Sequence, residues 1–303
     1  MVDKPVREPG ATGAALDFLA RLERWAAVDV SADTAALHAA LLARLRSEQA
    51  ADAANGLVHQ LAARALDVAD ACLHRGEPTP GMRVQLAQSC AAERADLEGA
   101  RAAVARIAGA LLTERGAWVA TLSSSTTVRA ALLELHGLDR RPHTLVGEGR
   151  PLLHGRALAS ALDLAGVPTW LVVDAALPML LSQATALWLG ADAVTDRGAI
   201  VAVGGYGAAL AARESSVPAY VLASRRKFLP GTTAALQIEE RPTAEVWDAP
   251  PAGVRPRNVH AEMVPLELLR GVVVEDGVLG PTEAATLARE RPLPGPLAGA
   301  PGR

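Results

Sequence analysis

The chain has 303 residues, with 30 basic against 33 acidic side chains, and is 50% hydrophobic although only 3% aromatic. That length suits about two domains, with a core of Ala, Leu and Val rather than of rings. A net charge of −3 argues against direct nucleic-acid binding, which needs a basic face for phosphates, and leaves a protein partner or a small anionic ligand open.

The opening residues, MVDKPVREPGATG, carry mixed charge without an apolar stretch, so they do not read as a secretory signal. No apolar run approaches the roughly 18–20 residues of a membrane span, and a cytoplasmic protein is expected. Cys72 and Cys90 stand apart, with no CxxC and no neighbouring histidines. Neither a zinc ribbon nor a disulfide scaffold is expected, and no metal or cofactor is called for.

Up to about residue 115 the text is rich in alanine, leucine and arginine at helical spacing. Leu16, Leu19 and Leu22–Trp25 open one helix, and Leu37, Leu41, Leu42 and Leu45 recur on one face of a second. A third covers Leu57 to Leu73. GEPTPG at Gly76–Gly81 breaks the pattern, and a long helix follows from about Met82 to Leu112.

Beyond 115, short apolar runs alternate with helical stretches. The runs are Trp118–Leu122, His143–Gly147, Thr169–Val173, Ala191–Thr195 and Ala219–Ala223. Helices are expected over Thr126–His136, Leu153–Ala165, Ala175–Leu189 and Tyr206–Glu214. Continuous apolar strands joined by helical crossovers mean a parallel sheet buried on both faces. The expected fold is therefore α/β: an N-terminal helical domain, then a Rossmann-like, doubly wound parallel sheet. The expected organisation is a disordered tail over 1–12, the helical domain over 13–114, the sheet domain over 115–290 and a disordered tail over 291–303.

In an open parallel sheet, ligands bind beyond the carboxyl ends of the strands. After the first run come Ser123, Ser124, Ser125, Thr126 and Thr127. Hydroxyls and N–H groups at a helix start suit a phosphate, and a serine there equally serves as an N-cap. The second run leads to Arg150, which could fork onto a phosphate or form a surface ion pair. Asp174, at the end of the third run, reads as the cap of the next helix. Asp192 lies among apolar residues within the fourth run, where burial would raise its pKa and suit it to acid/base work. Arg225, Arg226 and Lys227 follow the fifth run, facing an anion or forming a solvated loop. His154 reads as structural. Gly204, Gly205 and Gly207 come too late in the fold for a dinucleotide fingerprint.

Six stretches in order then carry a resemblance: VATLSSSTTVRAAL, GEGRPLLHGRALA, LVVDAALPMLL, LGADAVTDRGAIVAVGGYGAALAARESSVPAYVLASRRKF, IEERPTAEVW and RNVHAEMVPLELLRGVVVEDGVL. They resemble the translation initiation factor 2B α/β/δ-type family, which includes methylthioribose-1-phosphate isomerase and ribose-1,5-bisphosphate isomerase. The alanine- and arginine-rich text fits a diverged bacterial member. The resemblance implies a sugar-phosphate or nucleotide pocket at the carboxyl end of the sheet and homodimers built through the sheet domain.

In the isomerases a cysteine after the first strand and an aspartate in G-A-D serve aldose-to-ketose conversion. The resemblance places that aspartate at Asp192. Ser123 stands in the cysteine's place and Leu122 in that of the histidine before it. The Asn-Lys pair that follows in the family falls on Ala202 and Val203. Ser123 and Asp192 are thus the catalytic candidates, and Ser124, Ser125, Thr126, Arg150 and Lys227 the ligand-binding ones. The phosphate side is retained while the thiol is lost, so a phosphate-binding regulatory or assembly protein is expected, with an active isomerase as the alternative. Nucleotide exchange on an initiation factor is not expected, because in the eukaryotic complex it belongs to larger subunits with another catalytic domain.

Overall fold

The computed structural model describes residues 10–231, 238 and 240–291. Helices α1 (Ala11–Val28), α2 (Thr34–Ala51) and α3 (Gly56–His74) pack with the first half of α4 (Thr79–Leu111). Asp33 caps α2 by accepting from the Ala36 N–H at 2.8 Å, and Asn55 caps α3 from the Leu57 N–H at 3.1 Å. Leu37, Leu41 and Leu45 are fully buried, as their 4-residue spacing dictates. They close on Phe18, Leu22, Leu61 and Met82. The second half of α4 leaves the bundle: Val104, Ala105 and Ala108 join the core under the sheet.

The main sheet runs β10-β9-β7-β4-β1-β2-β3. Its parallel strands are β1 (Trp118–Leu122), β2 (His143–Gly147), β3 (Thr169–Val172), β4 (Ala186–Gly190), β7 (Ala219–Leu222) and β9 (Gly271–Val274). Edge strand β10 (Gly277–Leu279) is antiparallel to β9. Helices α5 (Thr126–Gly137) and α6 (His154–Leu164) cover one face, together with α4. The short α7 (Leu177–Leu180), α8 (Gly205–Glu214) and α9 (Pro281–Arg289) cover the other. A small antiparallel sheet, β5 (Ala193–Val194), β6 (Ala199–Ala202) and β8 (Ala261–Val264), stands beside them. The chain builds β1 to β3 outward in one direction, then returns to lay β4 on the other side of β1. The switch point therefore falls between β1 and β4, where a ligand crevice opens.

The architecture is the expected one, with corrections in detail. Of the strand expected over Ala191–Thr195 only Ala193–Val194 is extended, as β5 of the small sheet, and the main-sheet strand lies earlier, at Ala186–Gly190; the helix expected over Ala175–Leu189 shrinks to α7 between two 3₁₀ turns. Pro178 lies in the first turn of α7, where its ring bars the helix from extending back toward Asp174. ALWLG is buried on both faces, so its pattern carries no period to separate strand from helix. Asp192 consequently follows β4 rather than lying within a strand. Ala11 and Thr12, expected in the N-terminal tail, open α1 and are buried. Of the tails expected over 1–12 and 291–303, residues 1–9 and 292–303 lie outside the described residues.

Candidate functional site

Between the ends of β1 and β4 lies a cleft of about 270 Å³. The chain leaves β1 through Ser123, whose φ of 62° turns it sharply. A Cβ on Gly149 would sit 2.9 Å from the Ser123 Cα, so the loops after β1 and β2 touch backbone to backbone. Ser125 is the N-cap of α5, its Oγ accepting from the Val128 N–H at 3.3 Å. Thr126 and Thr127 form the first turn, whose N–H groups have no intrahelical partners. The helix start thus offers donors and about half a positive charge.

Arg150 reaches the rim on a loop braced from β3. Asp174 does not cap its own turn; its two oxygens accept from the N–H groups of Gly149 at 2.8 Å and Arg150 at 2.7 Å. The guanidinium of Arg150 makes no ion pair among the described residues, whereas Arg156 beside it pairs with Glu148.

Asp192 lies at the floor. Its N–H donates to Ile200 O at 2.8 Å and its carbonyl accepts from the Gly56 N–H at 2.8 Å. Lys227 is buried and donates through Nζ to Ala191 O at 2.6 Å. Burial pushes the Asp192 carboxyl up to about 6, against the pull of Lys227, while burial pushes Lys227 down to about 8.

The other two cations of the 225–227 run are structural. Arg225 pairs with Asp276 at 2.8 Å, and Arg226 bridges Glu93 and Asp96 of α4. The start of α8 is also taken: Glu262 Oε1 accepts from the Gly204 and Tyr206 N–H groups at 2.7 and 2.8 Å. An internal carboxylate occupies that anion position.

Ser123, Ser124, Ser125, Thr126, Arg150, Asp192 and Lys227 all line this one cleft. So does His154, expected to be structural. Residues that sequence reasoning missed close the cleft: Asp52 and Asn55 from the α2–α3 loop, and Arg241 and His260. Asn55 is buried and donates to Ala11 O at 3.1 Å and to Asp52 Oδ2 at 2.9 Å, binding the starts of α1 and α3 together. The Asn-Gly step at 55–56 is the signal for that cap; nothing in its spacing points to a cleft built from strand ends far downstream, at Ser123 and beyond. Cys72 and Cys90 are buried in the bundle, away from the cleft, and burial raises both thiols. Among the described residues no group of three or more His, Cys, Asp or Glu is arranged to hold a metal, and no helix is long and apolar enough to cross a membrane.

Fold and cleft together define an α/β protein with a pocket at the switch point of its sheet, lined by the start of α5, Arg150, Asp192 and Lys227. Residues 26–281 match the model of the Initiation factor 2 subunit family, and the chain belongs to that family. It is 31% identical over 183 residues to a ribose 1,5-bisphosphate isomerase of Archaeoglobus fulgidus, covering 58% of each chain. It is 32% identical over 190 residues to a methylthioribose-1-phosphate isomerase of Chloroflexus aurantiacus, covering 59% of this chain and 55% of that one. The chain thus matches a little over half the length of these curated relatives. In structure it superposes on the translation initiation factor eIF-2B of Pyrococcus horikoshii OT3 with a TM-score of 0.75 at 25% identity, over 91% of this chain and 93% of that one.

Proposed function

We propose that the chain binds a phosphorylated sugar or nucleotide in this cleft, in the cytoplasm, in a regulatory or assembly role and without isomerase turnover. One observation supports the reading: the residues suited to hold an anion all line the cleft, while of the isomerases' reactive groups only the aspartate, Asp192, is retained. The α5 start, Arg150 and Lys227 line it together with Ser123, Ala202 and Val203, where the isomerases place Cys, Asn and Lys. A serine hydroxyl is far less acidic than a thiol of pKa about 8.5 and needs a base to become a nucleophile or proton carrier. Ser123 Oγ forms no hydrogen bond to a histidine or carboxylate among the described residues.

The second reading, an active aldose–ketose isomerase, is favoured by Asp192. A carboxyl pushed up to about 6 is well matched to shuttling a proton near neutral pH. A thermal-shift screen with ribose 1-phosphate, ribose 1,5-bisphosphate, methylthioribose 1-phosphate, AMP and GMP separates the readings. A ligand at 100 times its Kd adds about 2.7 kcal/mol, and Arg150→Ala is expected to abolish the shift. Incubation with the binding sugar phosphate is expected to return it unchanged. Ketose formation that Asp192→Asn removes would establish the isomerase instead, and a flat screen would sink both.

The same reading includes a homodimer. Trp170, Leu171, Val173 and Met179 are exposed along and just beyond edge strand β3, on both faces of the sheet edge, and an uncovered edge strand with exposed apolar side chains is the kind of surface that a second copy covers. Sedimentation is expected to give twice the chain mass, and Trp170→Glu to lower it; a wild-type monomer at micromolar concentration would refute this.

A further inference from the structure

Neither reading draws on two histidines that line the cleft, His154 and His260. His154 is the first residue of α6. That helix starts directly against the end of β2, where a Cβ on Gly155 would collide with Gly147 O. His260 immediately precedes β8, and its carbonyl accepts from the Val203 N–H at 3.0 Å. Two elements far apart in sequence thus bring two imidazoles to one cleft, near enough for the charge of one to act on the other.

The rings are prepared in different ways. His260 Nε2 bonds to Glu245 Oε2 at 2.6 Å. That carboxylate is itself held, because the buried Asn258 donates to the same oxygen at 2.6 Å and to Pro242 O at 2.8 Å. Against a burial that raises it, the hydrogen bonds from Asn258 and His260 keep the Glu245 carboxyl below its ordinary range, so it acts as an acceptor only. The shared proton therefore sits on Nε2, and in the neutral ring Nδ1 carries the lone pair. Nδ1 has no partner among the described residues and is not enclosed. His154 makes no hydrogen bond at either ring nitrogen among the described residues. Burial, and then the charge of His260, holds His154 below its ordinary range. Near neutral pH it offers one donor and one acceptor rather than a cation. Such a wall matches hydroxyls, which both donate and accept, better than it matches an anion.

We propose that His154 and His260 form a hydroxyl-binding subsite of the cleft, and that the ligand class is a ribosyl phosphate recognised through its free ring hydroxyls, with a deoxyribosyl phosphate discriminated against. The inference rests on the cleft holding the phosphate. A cleft of about 270 Å³ puts a pentose whose phosphate sits at the start of α5 within reach of both rings. Glu245 and Asn258 are positioning residues that fix the proton and the orientation of the His260 imidazole.

Titration calorimetry of the full chain with ribose 1-phosphate and 2-deoxyribose 1-phosphate tests this. Ribose 1-phosphate is expected to bind about tenfold tighter, because the deoxy sugar leaves a polar group of the site without its partner. The double variant His154→Phe with His260→Phe keeps rings and removes the nitrogens, and should bring the ratio of the two affinities to about one. Glu245→Ala frees the His260 ring and should lower the same ratio. General damage to the fold weakens both sugars alike and leaves the ratio in place, and the ranking in the unmodified chain needs no variant. Equal affinities in the unmodified chain overturn the subsite and leave the phosphate cleft standing. A preference for ribose that survives the double variant puts the hydroxyl contacts elsewhere and overturns the subsite too. Failure of both sugar phosphates to bind overturns the phosphate cleft as well.

Discussion

Alanine at position 190 would place its methyl carbon 2.4 Å from both Cβ and Oγ of Ser125. Gly190 is the last residue of β4 and its φ lies outside the left-handed region, so the backbone tolerates alanine and the whole cost is the contact. Rotating Ser125 moves Oγ away and gives up its cap on the Val128 N–H, worth about 1 kcal/mol. It leaves the Ser125 Cβ in place, so the end of β4 must shift as well, an overpacking penalty of about 1–3 kcal/mol. Gly190→Ala should therefore destabilise by about 2–4 kcal/mol, read in urea unfolding as a lower midpoint at unchanged slope. Removing the Ser125 side chain removes the conflict, because the Ser125 Cα lies an ordinary 3.7 Å away. In a Ser125→Gly background, itself costing a few tenths of a kcal/mol, Gly190→Ala should cost less than about 0.5 kcal/mol. The coupling energy is then about 1.5 kcal/mol or more. Additive penalties would refute the interlocking of the β1 and β4 ends that forms the cleft.

The titrations of the buried pair give a second expectation. Asp192 is raised from 3.8 to about 6, so the folded chain holds this proton more tightly, and the stability it contributes is lost as pH rises from about 4 through 6. Two pKa units correspond to on the order of 3 kcal/mol, and Asp192→Asn should flatten that slope in melts across pH 4–7. Lys227 is lowered from 10.5 to about 8, so stability should climb again between those values, a rise that Lys227→Met removes. Asn55→Ala should cost about 2–3 kcal/mol in urea, from a lost cap, one buried hydrogen bond and one half-buried one; a cost below about 0.5 kcal/mol would contradict its bridging role. Asp174→Ala leaves the Gly149 and Arg150 N–H groups without their carboxylate and should weaken sugar-phosphate binding about tenfold by calorimetry, from loss of positioning of Arg150.

Much of this was legible in advance because two signals agree. Apolar runs such as Trp118–Leu122 and His143–Gly147 fall on strands residue for residue, since burial on both faces leaves a short continuous run as the only economical pattern. The rule that ligands sit at strand ends then assembled Ser123 to Thr126, Arg150, Asp192 and Lys227 around one cleft. The failures share a cause as well. ALWLG reads equally as helix or strand, and only its pairing with β1 and β7 decides. Asp174 braces a loop 24 residues upstream, and Arg226 reaches Glu93 133 residues upstream. Such long-range partners leave no local trace. Nor does the α3 start, which reaches Asp192 through the Gly56 N–H.

Phosphorus NMR of the chain with ribose 1-phosphate, followed over hours, tests the central claim most directly. The account expects a shifted, saturable bound resonance that Arg150→Ala abolishes, with no ketose phosphate accumulating. A free resonance at every protein concentration, or the steady growth of a ketose phosphate signal that Asp192→Asn stops, would contradict it.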